Sequence, residues 1–375
     1  MVLTLPESQP LQGGAGQGDA GQGDAGFSVA LDRLWSRGAA FLGCDVAIMG
    51  GAMSWVSERH LVSAISNAGG FGVIACGSMS PALLDAEIAA TQALTARPFG
   101  VNVITMHPQL EALIGVCHAR GVTHIVLAGG IPNNAAIRAV KDGGARLICF
   151  APALVLARKF VKAGADALVI EGSEAGGHIG PVSLTVLAQE ILPHIREVPV
   201  FVAGGLGRGE AILAYLEQGA AGAQLGTRFA ASVESIAHER FKKAFVHASA
   251  RDALPSRQLD DRFPVIAVRG LVNEGVKRFM RHQAEVVAQF QAGDLTREAA
   301  QLSIEHFWAG ALRRAVIDGD VENGSVMAGQ SVGMVTRIQS VADIMAELTG
   351  QAVAALASRQ SAADAPSGHR FTTPA

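Results

Sequence analysis

The chain has 375 residues, 49% hydrophobic and 17% charged, with a formal net charge of −3. That length makes one large domain or two ordinary ones, and the near-neutral charge leaves no footprint for nucleic acid or an anionic membrane surface. The four cysteines, Cys44, Cys76, Cys117 and Cys149, stand far apart without a Cys-x-x-Cys pair, which argues against a metal site or a disulfide framework and for a reducing, cytoplasmic setting.

Residues 1–26 lack the charged and apolar regions of a signal peptide and contain "GGAGQGDAGQGDAG", which has nothing apolar to bury. They are expected to be disordered. From residue 27 short apolar runs alternate with amphipathic stretches. The predicted strands are "DVAIMG" (45–50), "FGVIAC" (71–76), "FGVNVI" (99–104), "HIVLAG" (124–129), "RLICFA" (146–151), "ALVIEG" (167–172), "PVFVAG" (199–204) and "GAQLGT" (222–227). Each is near-continuously apolar, as a parallel strand covered on both faces requires. Eight strands, each followed by a helical pattern, predict an α/β fold, a closed (β/α)8 TIM barrel over 27–231; a doubly wound open sheet is the lesser alternative. Residues 232–345 predict a smaller helical lobe over the barrel mouth, with helices near 274–291 and 296–316 and the closing barrel elements somewhere within it. Residues 346–375 predict a helix end and a disordered tail from about Ser358. No apolar stretch approaches the ~20 residues that span a bilayer.

Active sites of such barrels lie at the C-terminal strand ends. Here those ends read "MGGAMSW", "GVN", "EGSEAGGHIG", "AGGLGRG" and "QLGTRF". Gly204 and Gly205 after the seventh strand, with Gly226 and Thr227 after the eighth, offer bare N–H groups and a hydroxyl, the phosphate site common in this fold. A phosphosugar, a nucleotide or FMN satisfies that alone. Three features favour a flat cofactor: the close backbone approach allowed by "MGGAM", and the amides of Asn102 and Gln224. The competing readings are a helix cap for Asn102 and a barrel-layer residue for Gln224. "EGSEAGGHIG" carries more than a turn needs, and its His178 is the candidate acid–base group. Glu171 and Glu174 read equally well as orienting the imidazole or as capping nearby N–H groups.

The segments "AMSWVSERHLVSAISNAGGFGVI", "RPFGVNVI", "GADALVIEGSEAGGHIG", "VPVFVAGGLGRGEAI", "GAQLGTRF" and "DGDVENGSVMAGQ" occur in this order. Over roughly residues 40–350 the chain resembles the FMN-dependent barrel superfamily of nitronate monooxygenases (the old 2-nitropropane dioxygenases) and flavin-type enoyl-acyl carrier protein reductases. The resemblance implies FMN, with Gly50, Gly51, Ala52 and Met53 bordering its ring and Asn102 contacting it. Gly177 would pass close to the flavin and His178 would face its reactive side. Gly204, Gly205, Gln224, Gly226 and Thr227 would hold its phosphate. No metal is implied.

Two branches divide the reading. "CFAPALVLARKF" has Ala151 and Pro152 where some nitronate-oxidising members carry a lysine, whereas "AMSWVSERHLVSAISNAGG" and "AVIDGDVENGSVMAGQ" look closer to the reductases. "QLDDRFPVIAVRGLVNE" departs from the reductase pattern, so the sequence reading leads with oxidation of alkyl nitronates by O2. Its alternative is an NADH- or NADPH-dependent enoyl-thioester reductase, and a non-catalytic FMN-binding sensor is the third. The expected partner is a small-molecule substrate, nitronate or enoyl thioester, with an acyl carrier protein under the second reading and a homodimer as a candidate assembly.

Overall fold

The computed structural model describes residues 20–265, 267–308 and 310–364. Eleven strands are present among the described residues: β1 (Ile48–Gly50), β2 (Gly72–Ala75), β3 (Phe99–Ile104), β4 (His124–Ala128), β5 (Arg146–Phe150), β6 (Ala167–Glu171), β7 (Gly177–His178), β8 (Val200–Ala203), β9 (Gly222–Leu225), β10 (Ala253–Pro255) and β11 (Val268–Leu271). Eight of them, at the predicted positions, form one parallel sheet in the order β1-β9-β8-β6-β5-β4-β3-β2. A bridge between Met49 and Phe71 joins its two ends, with Gly50 N donating to Phe71 O and Phe71 N to Ile48 O, both at 2.9 Å. The sheet is therefore a closed barrel. Its strands are buried nearly end to end, because side chains inside the barrel and helices outside it exclude water from both faces.

The barrel's eighth helix does not follow β9 directly. The chain first makes the lobe and returns to the barrel only as the helix Val341–Asp364, which packs against Gly209–Glu217 and against the N-terminal helix Ala20–Leu42. The lobe has helices at Glu239–His247, Glu274–Ala292, Arg297–His306 and Ala311–Val316. Phe263, Phe279, Val286, Ala300 and Ile304 give it a core separate from that of the barrel. It also carries an antiparallel sheet, β10-β11-β7, absent from the sequence reading. β7 is the His178 segment itself, so the lobe is hydrogen-bonded to the barrel's sixth strand-end loop.

Two expectations about the ends need correction. Residues 20–26 begin the helix Ala20–Leu42 instead of being disordered; the rest of the N-terminal segment lies outside the described residues. The last helix runs on past Ser358 to Asp364, and the expected tail beyond it is likewise outside the described residues. In both cases a helix already fixed by packing, through Leu31 and Trp35 at one end and Leu348 and Ala352 at the other, propagates cheaply into weakly patterned sequence. Among the described residues no helix is long and apolar enough to cross a membrane.

The N-terminal helix meets the barrel without an intervening side chain at Gly38. A Cβ there would lie 2.0 Å from the Ala221 carbonyl oxygen. Glycine to alanine in a helix ordinarily stabilises by about 1 kcal/mol. Here Gly38→Ala should instead cost on the order of 2 kcal/mol, because the helix must move off the backbone it packs on. Chemical denaturation of the two proteins measures this, and an unchanged or raised stability refutes the packing.

Candidate functional site

A cavity of about 550 Å³ opens at the C-terminal ends of the barrel strands, between them and the lobe. Asn102, Glu171 and Gln224 bring polar groups to it from β3, β6 and β9. Phe241, Leu312, Val316 and Met327 add apolar groups from the lobe. Of the candidate residues from sequence, Gly51, Ala52, Met53, Asn102, Gly177, His178, Gly204, Gly205, Gln224, Gly226 and Thr227 all line this one cavity. Gly50 does not. It lies within β1 facing the outer helix Arg59–Asn67, where a Cβ would come 2.7 Å from Ile65 Cδ1.

The loop after β1 is held by one hydroxyl. Ser57 Oγ donates to Gly51 O at 2.8 Å and accepts from Met53 N at 3.0 Å. The loop after β6 is fixed more heavily. Arg269 Nε donates to Ser173 O at 2.9 Å, and Gln330 N donates to Glu174 O at 2.9 Å. The Glu174 carboxylate accepts from Leu184 N at 3.0 Å and so caps the helix Leu184–Ile191. Gly176 and Gly329 then pass backbone to backbone, since a Cβ on Gly176 would lie 2.5 Å from Gly329 N. Past this contact β7 pairs with β11, His178 opposite Val268 and Gly177 opposite Arg269. The backbone of His178 is thereby locked. Its ring is exposed at the cavity and makes no hydrogen bond to the protein among the described residues.

Gly204 and Gly205 turn the chain away from β8 with φ of 93° and 71°, values that a residue with a Cβ adopts only under strain. The N–H groups of Gly205, Gly226 and Thr227 donate to no acceptor among the described residues. Thr227 Oγ1 accepts from Gly329 N at 3.0 Å, which leaves its proton free to donate into the cavity. The nearest arginine in sequence, Arg228, turns the other way. It is 3% exposed and bonds to Gly207 O and to the Glu347 carboxylate. Among the described residues no lysine or arginine lines the cavity.

Among the described residues the only titratable lining groups are Glu171 and His178. Burial pushes the Glu171 carboxyl up to about 8, and no hydrogen bond to it is made among the described residues. Burial by the cavity walls also lowers the His178 imidazole below its ordinary value, although the ring is open to solvent on one side. Both groups are therefore mainly neutral near pH 7. Burial drives the thiols of Cys76, Cys117 and Cys149 to about 12, which excludes them as nucleophiles. Among the described residues no group of three His, Cys, Asp or Glu side chains is placed to hold a metal.

Unspent hydrogen-bonding capacity is the main property of this cavity. Asn102 Nδ2 makes one long bond, 3.4 Å, to Val126 O, and its Oδ1 makes none. The Gln224 amide, the Glu171 carboxyl and the Ser331 hydroxyl have no partner among the described residues. These groups face the open cavity, where solvent reaches them, and a ligand that fills it can take up their hydrogen bonds. With bare N–H groups on one side and close glycine backbone at Gly51 and Gly177 on others, the donor set fits a flat polar heterocycle bearing a phosphate. The sequence leaves Glu171 open between orienting the imidazole and capping, and Ser331 was not among the sequence candidates. "VMAGQ" was a signal for the second, since Ser331 follows it directly; the lobe residues Phe241, Leu312 and Val316 had no signal at all.

The family model described as nitronate monooxygenase matches residues 36–118 and 110–351. A (3aS,4S,5R,7aS)-5-hydroxy-7a-methyl-1-oxo-octahydro-1H-indene-4-carboxyl-CoA dehydrogenase from Mycobacterium tuberculosis is 28% identical over 336 residues, covering 83% of this chain and 94% of that one. A probable nitronate monooxygenase from Staphylococcus aureus is 26% identical over 330 residues, covering 74% and 92%. Among solved structures, FabK from Thermotoga maritima has a TM-score of 0.78 and 32% identity, covering 87% of this chain and 98% of its own. Nitroalkane oxidase from Streptomyces ansochromogenes has a TM-score of 0.70 and 26% identity, covering 85% and 99%.

Glu171 makes stability pH-dependent in a definite direction. Its carboxyl titrates near 4.5 when unfolded and about 8 when folded, so the folded state holds a proton that the unfolded state has lost. This contribution is full below pH 4.5 and disappears as pH rises through about 8. Glu171→Gln removes the charge and keeps the shape. The cofactor-free variant should gain on the wild type progressively across that window, by at most about 5 kcal/mol, and hold a constant lead above it. Melting temperatures measured across pH check this; parallel curves would show that Glu171 is ionised in the folded protein.

Proposed function

Because the chain belongs to the nitronate monooxygenase family, and is an oxidoreductase as its relatives are, we propose that it binds FMN and reduces an enoyl thioester at the expense of a nicotinamide nucleotide. One observation carries the substrate class. The cavity has no lysine or arginine, its two titratable groups are held neutral, and the lobe side is lined by Phe241, Leu312, Val316 and Met327. Such a site favours a neutral substrate with an apolar body and gives an anionic nitronate no counter-charge. The likeness to FabK supports the same choice. This reverses the order in which the sequence alone ranked the two substrates. Nitronate oxidation stays as the second reading, favoured by the family model and by the relative from Staphylococcus aureus.

FMN, when bound, would supply the hydride chemistry. Gly51, Ala52 and Met53 would border its ring, with Gly177 close to it. Asn102, Gln224 and a protonated Glu171 would meet its polar edge and side chain, and Gly204, Gly205, Gly226 and Thr227 would take its phosphate. His178, neutral and with its backbone fixed by β11, would donate an imidazole N–H to the thioester carbonyl oxygen. That bond strengthens as the oxygen gains negative charge, which is the condition for catalysis rather than mere binding. The proton that completes the product at the α-carbon would arrive from water or from His178, whose open side faces solvent.

Two measurements test this reading. At Gly226 the backbone φ of −111° accepts any residue, and a Cβ would meet only Met53 Sδ at 3.4 Å. Gly226→Asp should therefore fold normally yet lose its flavin, because a carboxylate faces a phosphate dianion in a confined space. Full flavin content in the purified variant would put the phosphate elsewhere.

The second is anaerobic flavin bleaching, followed separately with NADH, NADPH and an alkyl nitronate. Rapid bleaching by one nicotinamide nucleotide, followed by reoxidation with crotonyl thioester, is expected. Bleaching by the nitronate alone would restore the second reading.

A further inference from the structure

Trp55 is the one residue other than glycine with a positive φ, 67°, among the described residues. It occupies the third position of a turn closed by Val56 N donating to Met53 O at 3.0 Å. A turn with positive φ there calls for glycine or asparagine, and a bulky aromatic side chain is among the worst choices. Burial compensates only in part, because Trp55 stays 38% exposed. Something other than the turn and the core selects this ring.

Its position suggests what. The residues on either side of it, Ser54 and Val56, line the cavity. Across the rim, the helix Ala311–Val316 contributes Leu312 and Val316 to the same cavity, and Arg313 between them sets its guanidinium 5.8 Å from the centroid of the Trp55 ring. The Arg313 side chain is 48% exposed, and so is that of its ionic partner Asp318, at 3.2 Å. An ion pair that open is weak and readily exchanged for a stronger anion. The rim thus holds an indole ring and a cation side by side, just outside a cavity that has Phe150 and Phe241 in its lining but no lysine or arginine among the described residues.

We propose that Trp55 and Arg313 form a rim subsite for the adenosine phosphate part of a co-substrate, the adenine stacking on the indole and a phosphate pairing with the guanidinium. The inference rests on the reading above, in which the nicotinamide reductant carries that group, as the enoyl thioester also would if its carrier were coenzyme A. Aromatic stacking of a nucleobase is strong enough to repay the turn's strain, and a phosphate engages arginine through parallel N–H donors. The backbone strain at the rim would then be offset only when the subsite is filled.

Calorimetric titration of the purified protein, its flavin content measured beforehand, tests the subsite without turnover. The probes are ADP, 2′,5′-ADP, 3′,5′-ADP and adenosine, each up to millimolar concentration. ADP should bind, adenosine more weakly, and the preference between the two bisphosphates tells a nicotinamide source from a coenzyme A source. Trp55→Gly should weaken ADP binding roughly tenfold or more while leaving the melting temperature unchanged or raised, since glycine relieves the turn. A Trp with a purely structural role predicts the reverse, a lower melting temperature and unchanged binding. Arg313→Gln should reduce ADP binding to the level of adenosine. Should the glycine variant fail to fold, Trp55→Asn, which also tolerates the turn, takes its place. No ADP binding by the wild type, or equal binding by the variants, overturns the proposal. Flavin content is read independently, so a flavin-free protein counts against the functional reading, and a flavin-loaded protein blind to ADP counts against the subsite alone.

Discussion

The approach of two backbones at Gly176 and Gly329 governs the rest of the site. With a Cβ on either residue the lobe's returning chain could not seat against the loop after β6, because a Cβ on Gly329 would itself lie 2.9 Å from Glu174 O. That seating lets Gln330 N reach Glu174 O and Gly329 N reach Thr227 Oγ1. One contact therefore aligns the histidine loop with the hydroxyl at the end of β9. The pairing of β7 with β11 completes the clamp from the other side. Rigidity of this kind is what an acid–base group needs, since small misplacements of a reacting group cost large factors in rate.

Charge is distributed with the same economy. Glu171 and Glu174 lie three residues apart, yet one is an unpartnered acid in the cavity and the other a helix cap. Arg228 adjoins the lining residue Thr227 but spends its charge on Glu347 behind the loop. The cavity is left polar without being charged. A phosphate there would depend on N–H groups already aimed at it, which need no reorganisation, whereas a flexible side chain would have to be ordered first.

Much of this was legible in the sequence. The eight barrel strands were visible because a strand covered on both faces must be apolar throughout, as in "ALVIE" and "VFVA". The glycines at strand ends were visible for the opposite reason, since turns beside a ligand exclude side chains. The small sheet was not. β7 is two residues long, and β11 contains Arg269 and Gly270, so neither carries a hydrophobic period. The identity of β7 as a strand comes from its partner ninety residues away, and no local pattern encodes that. The run predicted to border the ring, Gly50 to Met53, starts one residue too early: residues alternate in a strand, so Gly51 lines the cavity and Gly50 faces away. Glu171 read as ambiguous because a carboxylate at a strand end is common as a cap, and only the packing around it excludes the partners it would have capped.

The separation of β9 from its helix also bears on how the chain is made. The helix Ala20–Leu42 leaves the ribosome well before the helix Val341–Asp364 that it packs against, with the barrel strands and the lobe made in between. Leu31 and Trp35, buried in the finished protein, wait through the synthesis of the intervening barrel and lobe before that cover arrives. β1 likewise gains its β9 neighbour only after seven other barrel strands exist. Sequence-distant closure of this kind is slow, and it leaves apolar surface open to other nascent chains meanwhile. The lobe lengthens that wait, so its place ahead of the last helix prolongs the time for which this apolar surface stays uncovered.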